Sequence, residues 1–283
     1  MTSGTTGLPK LVVRSHEALL MNARIFASIS NESASTSFLK NTINILNVLC
    51  AAGQPVDKDW SEILDKITRS ACFAYGLSEV GYCCSQLCAT SSDVLPYVVG
   101  YPSAEGIEVK VVDENQQETS PNTHGELLVR APWMFDGYLG NEEKSKSEFT
   151  QDRWFKTDDL AYKDNDGCLF VMCRRSDAIA WGVRTVYPSY LEKPIGSLSV
   201  IADVIIVPVP DKDRFQEICA CVILCEGITL NEKEVADTCN SLFVKGTCAP
   251  KYYMVMDNFP YLSSAKPDKL KLISMAKERF NLN

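Results

Sequence analysis

Strand-length apolar runs alternate with helical patterns along this chain, and that alternation limits its fold more than any other feature. Runs rich in branched residues lie at 43–50, 204–209, 218–225 and 252–256, each the length of one strand. Trp60, Ile63, Leu64 and Ile67 recur at helical spacing after Asp57. Another helix starts at Asn231, with Glu234 three positions on as in a capping box. Its apolar face is Val235, Cys239, Leu242 and Phe243. A last helix carries Leu270, Ile273, Ala276 and Phe280 on one side. Residues 106–113 and 125–130 read as strands joined by a polar turn over 114–124. The fold class is therefore α/β. The short polar stretch 173–177 separates two parts of different size and reads as a hinge.

Composition narrows the partners. With 283 residues, 46% hydrophobic and 23% charged, the chain can bury a sizeable core. Its net charge of -8 repels phosphates, which excludes a nucleic-acid face working by overall attraction. An anionic small ligand needs local Lys, Arg or backbone N–H groups instead. No apolar run approaches the roughly 18 residues of a membrane-spanning helix. The candidates at 195–210 and 218–225 are broken by Asp203 or too short. The opening residues have neither the basic start nor the apolar core of a signal peptide, so reduced intracellular thiols are expected for the 12 cysteines. Cys83, Cys84 and Cys88 lack a second ligand cluster, and the only histidines are His16 and His124. Cys219, Cys221 and Cys225 are an even number of positions apart, so in a strand they share one face and read as small core residues.

The strongest local chemistry is Thr2-Ser3-Gly4-Thr5-Thr6-Gly7-Leu8-Pro9-Lys10. Hydroxyls, glycines and one lysine suit a loop whose N–H groups turn inward around polyphosphate. It is not a Walker A loop, because Gly4 and Gly7 are too close and Lys10 is not followed by Ser or Thr. By itself the stretch also reads as a flexible polar terminus.

Other segments accompany it in order. They are Ala52-Gly53-Gln54-Pro55, Tyr75-Gly76-Leu77-Ser78-Glu79, Val99-Gly100-Tyr101-Pro102, Gly125-Glu126-Leu127 and Gly137-Tyr138. After these come Thr157-Asp158-Asp159, Arg174 with Asp177, Tyr187-Pro188, and Ser264-Ala265-Lys266. The set resembles the adenylate-forming superfamily of AMP-dependent synthetases and ligases. Glu217-Ile218-Cys219-Ala220-Cys221 and Val186-Tyr187-Pro188 look most like its medium-chain acyl-CoA synthetases.

The resemblance implies an ATP-dependent acid–CoA ligase that forms an acyl-adenylate and transfers the acyl group to coenzyme A. ATP, CoA and a small carboxylic acid would be its partners and Mg²⁺ its metal. It implies that Thr2, Ser3, Gly4, Thr5, Thr6, Gly7 and Lys10 hold the β/γ-phosphates and that Gly53 lines the adenine pocket. Tyr75 and Gly76 would lie by the adenine, Ser78 at the α-phosphate, and Glu79 on Mg²⁺. Asp159 would accept both ribose hydroxyls, supported by Arg174. Ser176 and Asp177 would form the hinge, and Gly182, Val183 and Arg184 the CoA passage. Lys266 would stabilise the transferring phosphoryl group, making Lys266 and Glu79 the catalytic pair.

The resemblance also implies an organisation. Residues 1–173 correspond to part of a large AMP-binding domain and 174–283 to a small α+β domain. Only about forty residues separate Lys10 from Ala51, so an internal deletion is expected near 28–42. Family glycines are replaced at Leu11, Asp158, Cys173, Val183, Phe215 and Ala265. A nucleotide- or CoA-binding remnant and a partial gene product are therefore the competing readings. The family setting is mitochondrial, with the cytoplasm as the alternative since the chain carries no targeting pattern.

Overall fold

The structure is a computed structural model that describes residues 12–13, 15, 46–52, 68–88, 95, 97–244, 248–262 and 266–282. Residues 2–10, Leu11, the join expected at 28–42, Gly53, the helix expected at 57–67 and Ala265 lie outside them. The chain divides into two compact units, Met1–Met172 and Cys173–Asn283.

In the first unit the strands are β1 (Val12–Val13), β2 (Leu46–Ala52), β3 (Thr68–Leu77), β4 (Gly81–Cys88) and β5 (Val98–Pro102). They continue as β6 (Glu108–Val112), β7 (Gly125–Arg130) and β8 (Gly137–Tyr138). Helix α1 (Glu142–Ser147), β9 (Phe155–Lys163) and β10 (Leu169–Arg174) complete it. Among the described residues, eight strands form a sheet in the order β2-β3-β4-β5-β10-β9-β7-β6, and β1 pairs separately with β8. Strand β2 is parallel to β3, whereas β3 and β4 form an antiparallel hairpin. Four successive β3 residues, Ala71, Cys72, Phe73 and Ala74, are buried, which marks a strand covered on both faces. The hairpin turn depends on Gly76, where a Cβ would run into the carbonyl oxygen of Gly81. The expected strands at 106–113 and 125–130 are β6 and β7, paired from Glu108↔Arg130 to Val112↔Glu126.

The second unit contains β11 (Ile179–Trp181), β12 (Arg184–Val186), α2 (Pro188–Gly196), β13 (Ile201–Asp211) and β14 (Phe215–Leu224). Helix α3 (Glu232–Asn240), β15 (Tyr252–Val255) and α4 (Lys269–Phe280) follow. Its sheet runs β12-β11-β14-β13, with β15 parallel to β14. Along β14, Ile218, Ala220 and Val222 pack with α2 and α3, while Cys219 and Cys221 pack with α4. Helices thus cover both faces, which is why this strand reads as an unbroken apolar run. Cys219 and Cys221 share the α4 face as their spacing predicts, but β14 ends at Leu224, so Cys225 is not part of that strand.

Two helix faces differ from the sequence reading. The capping box at Asn231 and Glu234 forms, but α3 stops at Asn240, leaving Leu242 40% exposed. In α4 the fully buried residues are Leu272 and Ala276, and Leu270 is 58% exposed. The N-cap Asp268 fixes where that helix starts, and its buried stripe follows from the sheet below. Leu272→Ala should therefore destabilise the protein by about 2–5 kcal/mol, and Leu270→Ala by no more than about 0.5 kcal/mol. Urea unfolding of the two variants checks this, with the larger effect at Leu270 counting against the face assigned here.

Candidate functional site

Two buried carboxylates organise the first unit. Glu79 lies in the turn between β3 and β4 and is 7% exposed, and Asp159 lies in β9 and is 5% exposed. A carboxylate out of water needs donors, because desolvation disfavours its charge. Each receives a tyrosine hydroxyl. Tyr138 donates to Glu79 Oε1 at 2.8 Å, and Tyr75 donates to Asp159 Oδ2.

Both phenols stay protonated at neutral pH. Burial, followed by the charge of Asp159, pushes the Tyr75 hydroxyl well above its ordinary pKa. Burial and then Glu79 push Tyr138 up in the same way. They act as hydrogen-bond donors, not as bases. The expectation for Tyr75 is thereby sharpened: its hydroxyl is engaged by Asp159, which is 84 positions away in sequence. Asp159, the carboxylate expected to accept both ribose hydroxyls, accepts this one bond at Oδ2.

The local backbone is equally specified. Thr157 is buried; its hydroxyl donates to the Leu127 carbonyl at 2.8 Å and accepts from the Asp159 N–H at 3.0 Å. Asp158, where the resemblance led to an expected glycine, adopts φ 59 and is exposed, whereas Asp159 faces inward. Asp158 thus holds left-handed backbone, and the strand's alternation carries its charge away from Asp159. Phe215 repeats this in the second unit, at φ 65 and 81% exposed.

The remaining expected residues fall as follows. Gly76 ends the β3 bulge next to Tyr75, and Ser78 is exposed in the same turn as Glu79. Arg174 is exposed at the end of β10. Ser176 and Asp177 lie in a one-turn 3₁₀ helix, with Asp177 held by Lys269 at 2.7 Å. Gly182, at φ 62, and fully exposed Val183 form the two-residue turn between β11 and β12, and Arg184 opens β12. Lys266 is exposed, with its carbonyl accepting from Leu262 N–H at 2.8 Å. Thus Tyr75, Gly76, Ser78, Glu79 and Asp159 belong to the first unit, while the hinge, the expected CoA residues and Lys266 belong to the second. Sequence reasoning gave Tyr138 no role at the site. Its motif, Gly137-Tyr138, was visible, but its link to Glu79 spans 59 positions.

Among the described residues no three His, Cys, Asp or Glu side chains are placed to hold a metal, and no cation pairs with Glu79. One carboxylate suits Mg²⁺ when phosphate oxygens and water complete its octahedron. The donor set therefore fits a metal that arrives with a nucleotide. No helix among these residues is long and apolar enough to cross a membrane.

Replacing Tyr75 by Phe keeps the ring and removes the donor, leaving Asp159 buried without it. A loss of about 1–3 kcal/mol is expected in urea unfolding. An unchanged midpoint would mean that the Tyr75–Asp159 bond contributes nothing to stability.

Comparison with known proteins places these features in context. A mitochondrial medium-chain acyl-CoA ligase of Bos taurus is 31% identical over 176 residues, covering 62% of this chain and 28% of that protein. A 4-coumarate–CoA ligase-like protein of Oryza sativa subsp. japonica is 35% identical over 178 residues, covering 61% of this chain and 31% of that one. The chain thus spans about a third of the length of these curated relatives. The crystal structure of ATP-bound MatB from Rhodopseudomonas palustris superposes with a TM-score of 0.81 at 22% identity, covering 99% of this chain and 68% of that one, and so shares its fold. Residues 25–139 match the AMP-binding enzyme family. The chain is thus similar to AMP-binding enzymes over residues 25–139 and to these CoA ligases over part of their length.

Proposed function

We propose that this chain uses ATP to activate a carboxylic acid as its acyl-adenylate and passes the acyl group to coenzyme A. The observation that carries the reading is the Tyr75–Asp159 hydrogen bond. It joins the Tyr-Gly-Leu-Ser-Glu segment to the Thr-Asp-Asp segment inside one unit, beside buried Glu79. In the first step a carboxylate oxygen attacks the α-phosphorus, the bond to the bridging oxygen breaks, and pyrophosphate leaves. In the second, the CoA thiolate attacks the acyl carbon and AMP leaves.

Each residue has a task suited to its chemistry. Residues 2–10 supply hydroxyls, N–H groups and the Lys10 charge for the β/γ-phosphates. Asp159, oriented by Tyr75 and Thr157, accepts from the ribose, with Arg174 in support. Ser78 donates to the α-phosphate, and Gly53 and Gly76 leave room at the adenine. Mg²⁺, when bound, neutralises charge on the departing pyrophosphate, and Glu79 is its protein ligand. Lys266 stabilises the charge that develops on the phosphoryl oxygens. Ser176 and Asp177 form the hinge about which the small domain, residues 174–283, turns between the two steps. Gly182, Val183 and Arg184 line the approach of CoA. A medium-chain fatty acid is the favoured substrate, supported by the 217–221 and 186–188 segments and by the bovine relative.

ATP–pyrophosphate exchange with octanoate, decanoate, 4-coumarate and acetate tests the reading. Exchange should be strongest with the two fatty acids and fall about a hundredfold or more in Lys266→Ala. Rates no higher than that variant's with every acid would sink it, and ATP-dependent thermal stabilisation without exchange would make the chain a nucleotide-binding module instead.

A further inference from the structure

Glu79 is the proposed protein ligand of Mg²⁺, yet its position is set by a residue from a distant part of the chain. Tyr138 is buried, and its hydroxyl donates to Glu79 Oε1 at 2.8 Å. Its ring packs edge-on against Phe135, with centroids 5.0 Å apart. The Phe135 N–H in turn donates to the Glu79 carbonyl at 2.7 Å. The 135–138 segment therefore holds both the backbone and the side chain of Glu79.

Tyr138 is itself tied on every side. Its N–H donates to Ser145 Oγ at 2.8 Å, and its carbonyl accepts from the Asn141 N–H at 3.1 Å. The Ser145 hydroxyl in turn donates to the Asn141 carbonyl at 2.7 Å. On its other side β8 pairs with β1, with Tyr138 opposite Val12 and Gly137 opposite Val13. Val12 comes two positions after Lys10, the last residue of the proposed phosphate loop. One residue thus connects the strand leaving that loop with the carboxylate expected to ligate the metal.

We propose that Tyr138 is a positioning residue for Mg·ATP: its hydroxyl occupies Oε1 of Glu79 and aims the rest of the carboxylate at the metal, while its pairing with Val12 holds Tyr138 in place. This rests on the reading of Glu79 as the metal ligand. Losing a hydrogen-bonded partner behind a metal ligand lowers metal affinity by about tenfold or more. Binding of ATP without metal, which does not use Glu79 as a ligand, is left unchanged.

The experiment measures binding of Mg·ATP, and of ATP in EDTA, to the full chain by calorimetry. Wild type should bind Mg·ATP more tightly than metal-free ATP. Tyr138→Phe and Glu79→Gln should each weaken Mg·ATP by about tenfold and leave metal-free ATP unchanged, and the double variant should lose no more than Glu79→Gln alone. Should Tyr138→Phe not fold, Ser145→Ala frees the Tyr138 backbone but keeps the hydroxyl, and is expected to weaken Mg·ATP selectively as well. If Glu79→Gln loses affinity and the Tyr138 and Ser145 variants do not, the positioning role is overturned while the site stands. Equal loss of both ATP forms in Tyr138→Phe would mean a purely structural residue and also overturns it. A wild-type chain that binds Mg·ATP no more tightly than metal-free ATP overturns both the role and the underlying reading.

Discussion

A buried carboxylate must be given donors, and in the first unit that requirement links the pieces of the candidate site to one another. Glu79 sits in the β3–β4 turn and Asp159 on β9, and each is satisfied by a tyrosine hydroxyl supplied from elsewhere. A lysine in either place would cancel the charge that a metal or a ribose needs. A phenol satisfies one oxygen and leaves the negative charge in place. Burial keeps both phenols protonated, so the arrangement persists across the neutral range.

The second unit meets the same requirement in its own way. Glu217 is 3% exposed and accepts from the Trp181 indole N–H at 2.6 Å, with Arg214 at 3.5 Å and its guanidinium stacked over that indole. Glu192, half-buried, accepts from the Ile206 N–H at 2.9 Å, and desolvation raises its pKa. Glu217 thereby holds the start of β14 to the β11–β12 turn, where Gly182 and Val183 lie. Ion pairs at the surface, such as Lys251 with Asp211, add little by comparison because water competes for both partners.

Backbone positions with positive φ show what space allows. Asp158 and Phe215 both occupy left-handed backbone with the side chain turned outward. Gly76 had no such option, since any Cβ there meets the opposite strand of its own hairpin. The difference is space. An exposed left-handed position costs a residue some conformational energy, whereas a clash with backbone has no side-chain remedy.

The sequence by itself determined the local matters: the strand runs, the capping box at Asn231 and Glu234, the β6–β7 pair and the order of the motif segments. These depend on residues within a few positions of one another, and periodicity and side-chain chemistry express them directly. It misjudged the buried faces at Leu242 and Leu270, because which side of a helix is covered depends on the sheet beneath it. Only the tertiary structure decided that Tyr75 spends its hydroxyl on Asp159 and that Asp158 points outward. The same holds for Tyr138, which stands behind Glu79 and opposite Val12. Those contacts join residues tens of positions apart, and no local pattern records which donor a buried carboxylate will find.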